Sequence, residues 1–161
     1  MAKEIQVGES QVVYDLDAEL RIDRGALSQE FCDHAQLFAK WGALTVQARY
    51  DHDESKVAYE QVVAEADAEI RDRIERLGDK ITEKKVEALI PLEDSVRESK
   101  KAMLAAKRSH GLCEVAQRAV EHRLQMLIGL GANYRTEAGI DPSIVADARM
   151  SARGKRPLRR G

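Results

Sequence analysis

The chain has 161 residues, enough for one domain, yet only 4% of them are aromatic and 34% are charged, the balance of long helices and coiled coils. Two cysteines, Cys32 and Cys113, exclude a disulfide framework and point to a reducing, cytoplasmic setting. No apolar run approaches the length of a membrane span, and the start MAKEIQVGES has no leader-like apolar core. The net charge of −2 conceals an asymmetry, because residues 1–77 hold 17 Asp/Glu against 9 Lys/Arg while residues 78–161 hold 11 against 17. A basic surface for nucleic acid is therefore compatible with a sequence pI near 6.1.

In chain order, residues 1–27 read as an extended arm packed on a helix or a neighbouring subunit, or as a partly disordered tail. Ile5-Gln6-Val7 and Gln11-Val12-Val13-Tyr14 flank the turn-like Gly8-Glu9-Ser10, which predicts a short hairpin, and Leu20-Arg21-Ile22 is a candidate third extended piece. Ser28 suits a helix N-cap, with Glu30 and Asp33 in the first turns and Leu27 and Phe31 as a hydrophobic staple. No proline interrupts residues 28–77, so one helix of about 75 Å is expected, with the polar stretch Asp51–Ser55 as its weakest point. Gly78 then suits the left-handed position past a helix end, and Thr82 suits the cap of the next. This corner folds two helices back on each other.

Pro91 predicts a kink or a new helix start. From Leu89 to Leu127 a seam runs at alternating spacings of 3 and 4, through Leu92, Val96, Ser99, Met103, Ala106, His110, Cys113, Gln117, Val120 and Leu124, which is a heptad pattern. Gly129 and Gly131 are expected to end that helix, and the tail from Thr136, with Arg149, Arg153, Lys155, Arg156, Arg159 and Arg160, reads as a disordered cationic arm. The fold expected is all-α. A long antiparallel helical hairpin or coiled coil (28–135) carries a small N-terminal arm (1–27) and a basic tail (136–161), and assembles as a homo-oligomer.

No catalytic set stands out, which predicts a protein that is not an enzyme and needs no cofactor. His110 and Cys113 share a helix face but lack the two further ligands that zinc requires, and the seam explains them both. Two basic groups are candidate anion sites. One is the corner, with Arg71, Arg73, Arg76 and Lys80 followed by Lys84 and Lys85; the helix dipole and the acids Asp72 and Glu75 explain the same residues without a ligand. The other is a strip of Arg97, Lys100, Lys101, Lys107, Arg108 and Arg118 within an arc of about 120°, where Glu93 also falls. Such a strip suits a phosphate backbone, and it also suits a solvated or salt-bridged helix face. Tyr134-Arg135 is a candidate base-stacking pair or a packing contact.

The succession ELRIDRGALSQEF, LFAKWGALTVQA, DAEIR, GDKITEKKVEALI and HRLQMLIGLGANYRTE resembles a family of small tailed-phage proteins, the recombination mediators similar to UvsY, over about residues 19–137. The resemblance implies a ring-like homo-oligomer without enzymatic activity, in the host cytoplasm, that binds single-stranded DNA. It would help load a RecA-like recombinase onto strands covered by single-strand-binding protein. It places the family's DNA-contacting basic pair at Arg71 and Arg73, here separated by Asp72 instead of a small neutral residue. It also makes the seam His110, Cys113, Gln117, Val120, Leu124 and Leu127 the counterpart of the oligomerisation region. The alternative reading is a coiled-coil phage scaffold or assembly chaperone without DNA binding.

Overall fold

The computed structural model describes residues 3–137. Two strands, β1 (Lys3–Val7) and β2 (Ser10–Tyr14), pair antiparallel with Val7 opposite Ser10, which leaves Gly8-Glu9 as the turn. Gly8 has φ +59°, as a tight two-residue turn demands, and its N–H donates to the Asp51 carboxylate, tying the hairpin tip to the long helix. Strand alternation sends Ile5, Val7 and Tyr14 inward and leaves Val13 in solvent. The predicted arm is therefore ordered as a hairpin.

The expected third extended piece is not a strand: Leu20 has right-handed helical backbone, and Arg21 and Ile22 carry no regular structure. Leu16–Glu19 forms a short helix, α1, whose Asp15 cap accepts from the Ala18 N–H, and Leu20 closes it. A turn of 3-10 helix, Arg24–Ala26, then leads into α2, Leu27–Arg76. Ser28 is not the cap expected: the cap position falls two residues earlier, on Ala26, whose side chain makes no cap bond. The lead-in turn is held by Asp23, which accepts from the Gly25 N–H, and by Glu30, which accepts from the Asp23 N–H.

Helix α2 runs unbroken through 50 residues, including Asp51–Ser55. That polar stretch is carried by packing across the interface, where the His52 ring stacks on His110 at 6.2 Å. At the corner, Gly78 takes φ +71° and donates to the Glu75 carbonyl, while the Asp79 N–H donates to the Ile74 carbonyl. This pair of bonds is the Schellman closure that the glycine predicts. The chain turns back through α3 (Glu83–Leu89), a 3-10 turn holding Pro91 (Ile90–Leu92) and α4 (Asp94–Glu137). Thr82 occupies the cap position of α3, but its side chain makes no cap bond.

A second correction concerns the end of α4. Gly129 and Gly131 do not stop the helix, which continues to Glu137. Among the described residues only Gly8 and Gly78 have positive φ, so neither late glycine makes the left-handed turn that ends a helix. The tail expected from Thr136 thus starts as helix at Thr136 and Glu137, and its basic residues lie outside the described residues.

The two long helices pack antiparallel and bury two clusters. The larger joins Ile5, Val7 and Tyr14 of the hairpin to Trp41 and Ala48 of α2 and Cys113, Ala116 and Val120 of α4. Tyr14 meets Trp41 edge-on at 5.2 Å, and the indole N–H donates to Glu19 at 2.7 Å. The smaller cluster, Ile70, Ile74 and Val86, fixes the corner. A strand pair is marginal in water by itself; here it acts as a lid on the middle of the helical hairpin.

Candidate nucleic-acid interface

At the corner the arginines are spent on the protein itself. Arg71 is clamped between Asp67 of its own helix and Glu83 of α3, with a 2.7 Å contact to each. This raises the arginine's proton affinity through Glu83 first and Asp67 second, and Arg71 in turn lowers that of Glu83. Arg73 pairs with Glu93 across the hairpin, Arg76 with Asp72, and Lys85 with Asp79. Of the corner's predicted site residues, only Lys80 and Lys84 have no carboxylate partner among the described residues. The acidic spacer Asp72 neutralises a neighbour in the sequence, and Arg71 serves as a brace between α2 and α3.

The strip on α4 is the reverse case. Arg97 pairs with Asp94 and reaches the Leu92 carbonyl. Lys100, Lys101, Lys107, Arg108 and Arg118 are exposed and have no ion pair among the described residues. Glu93, which shares their arc in the sequence, lies ahead of α4 and is engaged by Arg73. Between Arg97 and Met126 the helix carries the carboxylates Glu98, Glu114 and Glu121, and none of them pairs with these cations; Glu114 faces His110 instead. Leu104 and Val115 lie between the cations and Met126 about two turns beyond them, and each is more than half exposed. The free cations extend from Lys100 to Arg118, about 27 Å along the helix.

The seam assigned to self-association is largely consumed within the chain. Cys113, Val120 and Leu127 are fully buried, in a chain packed on itself. His110 stacks on His52, and Leu124 lines a small apolar cavity with His34 and Phe38. Gln117 is half-buried on the same face. Heptad spacing specifies a helical partner but not whose helix it is, and α2 of the same chain supplies it.

Burial, and then the charge of Asp51, pushes the Cys113 thiol up, away from thiolate formation. Cys32 is exposed while His34 is buried, so the two do not act together. No cluster of three or more His, Cys, Asp or Glu side chains suited to a metal occurs among the described residues. Among those residues no helix is long and apolar enough to cross a membrane.

Two features escaped the sequence reading. Arg123, only 5% exposed, pairs with Glu30 and donates to the backbone carbonyls of Arg21 and Glu30, locking α4 to the base of α2. On the outer side of α2, Ala39, Ala43, Val46, Tyr50, Val57, Ala64 and Ala68 are exposed and share an arc of about 60°. This second heptad-like stripe was visible in the spacing but was masked by the stronger inward stripe of the same helix. No protein-family model matches the chain, and no curated protein or solved structure matches it significantly.

Proposed function

We propose that this protein is a non-enzymatic, self-associating single-stranded DNA-binding protein that acts as a recombination mediator. In that role it presents strands to a RecA-like recombinase in place of single-strand-binding protein. The observation that carries the reading is the row of free cations on the outer face of α4, Lys100, Lys101, Lys107, Arg108 and Arg118, interleaved with exposed apolar side chains. Cations without internal partners keep their full attraction for phosphate, and each phosphate they neutralise releases counterion. Lys80 and Lys84 extend the charge toward the corner. A strand lying along α4 would meet phosphate-binding ammonium and guanidinium groups, with Leu104 and Val115 between them. Repeating a weak site on several subunits raises avidity through effective concentration.

The test is fluorescence anisotropy with a labelled oligonucleotide over a salt series. Affinity should fall with a log–log slope that loses about 0.7 for each cation removed among Lys100, Lys107, Arg108 and Arg118. Arg71→Ala and Arg76→Ala should leave affinity within about twofold, because those side chains already hold carboxylates. Salt-independent binding, or α4 variants that bind as well as wild type, would sink the assignment.

A scaffold or assembly-chaperone role is favoured by one observation, the apolar stripe on the outside of α2. A protein of that class would ignore short oligonucleotides, so the same titration separates the two readings.

A further inference from the structure

The two ends of the helical hairpin differ in how their arginines are used. At the corner they are paired; at the opposite end, where α4 finishes beside the start of α2, Arg24 and Arg135 are exposed with no carboxylate partner among the described residues. A cleft of about 630 Å³ opens between them, and Phe31 and Tyr134 stand in its lining. Gly131 lies between ring and guanidinium: a Cβ there would come 3.7 Å from Phe31 Cε2 and 3.9 Å from Arg135 Nη1. Phe31 and Tyr134 are 39% and 61% exposed. Neither ring takes part in a ring–ring contact among the described residues.

Each part selects a chemistry. A guanidinium fork matches two phosphate oxygens, and an exposed aromatic ring offers a face to any base without regard to its identity. The first turn of α2, which lacks a side-chain cap, borders the same cleft and adds positive potential. We infer that this cleft holds one unpaired nucleotide of a bound strand, its base on Tyr134 and Phe31 and its phosphate against Arg24 and Arg135. The site rests on the nucleic-acid reading above and adds to it an aromatic contact that stacks on a base, where the cations of α4 sense charge.

The experiment compares a labelled twenty-nucleotide oligo-thymidylate with a strand of equal length that carries abasic sites throughout, using the full chain at fixed salt. The two strands share their phosphates and differ in their bases. Wild type should bind the thymidylate about tenfold more tightly, the scale of one stacked base. Tyr134→Ala should remove most of that preference and leave the abasic affinity unchanged. Tyr134→Phe, which keeps the ring, should retain it. Phe31→Leu preserves apolar packing on Gly131 and should lose part of it, with far-UV circular dichroism checking that each variant folds. Arg24→Ala combined with Arg135→Ala should weaken both strands alike. A Tyr134→Ala protein that still prefers bases, or a wild type that binds both strands equally well, overturns the site while the reading of the α4 strip stands. A wild type that binds neither strand overturns both.

Discussion

His34 is 6% exposed, its ring stacks on Phe38 at 6.4 Å, and its Nδ1 has no hydrogen-bond partner. Burial first, and the nearby charge of Arg123 second, hold the imidazole below its ordinary value of 6.5. The unfolded chain therefore takes up a proton near pH 6.5 that the folded chain refuses. The stability due to neutral His34 is complete above that pH and is lost as pH falls from 6.5 toward the folded value, at up to about 1.4 kcal/mol per pH unit. Urea unfolding followed from pH 7.5 down to 5.5 should show this loss in wild type, and His34→Leu should flatten that part of the profile. Equal slopes in the two proteins would remove His34 from the account. The neighbouring Arg123–Glu30 pair shows why such a residue is hard to read from sequence. Its partners are 93 positions apart, and nothing local distinguishes Arg123 from the solvent-facing Arg118. By contrast, the partners of Arg76 and Lys85 lie four and six positions away, close enough to be read along the chain.

At the scale of elements, glycine is the clearest case of what local sequence decides. Gly78 was legible because a left-handed turn after an uninterrupted helix has few other solutions, and its φ is +71°. Gly129 and Gly131 carry the same letter, yet they sit inside α4, because its inward face is still packed at Leu127 and Phe31 lies over Gly131. Packing decides there, and propensity only sets a cost. The two kinds of position should respond to alanine with opposite sign. Gly78→Ala forces a Cβ into left-handed backbone and should cost about 1–2 kcal/mol. Gly129→Ala meets nothing within 4 Å, keeps helical geometry and should gain up to about 1 kcal/mol. Thermal melts of the two variants should move in opposite directions. The heptad seam shows the same division: its inward positions Cys113, Val120 and Leu127 were correctly placed, but spacing carries no information on whether the partner helix belongs to the same chain.

For the whole molecule, the hairpin turns a charge asymmetry along the sequence into one across space. Helix α2 holds 11 Asp/Glu against 6 Lys/Arg, and α4 holds 5 against 8. Their outer faces point away from their shared core, so one side of the molecule is acidic with an apolar line and the other is basic with an apolar line. A contact of the first face with the second face of another copy is heterologous, and such contacts build rings where the rotation closes and filaments where it does not. Self-association in the proposed function would then run through Val46, Tyr50 and Val57, which are 71, 61 and 53% exposed, and leave the buried seam untouched. Burying each of these side chains is worth about 1.5–3 kcal/mol, and a carboxylate in their place reverses the sign. Sedimentation velocity should therefore show wild type above its 18.0 kDa monomer mass and the Val46→Glu, Tyr50→Glu double variant shifted to the monomer, with its helical circular dichroism unchanged. Added salt should weaken the wild-type assembly only partly, since it screens the charged flanks and leaves the apolar line in place. An assembly indifferent to the double substitution would clear this stripe of the role, and a wild-type monomer at micromolar concentration would remove self-association from the proposal. The free cations of α4 would still offer each single copy a strand-binding face.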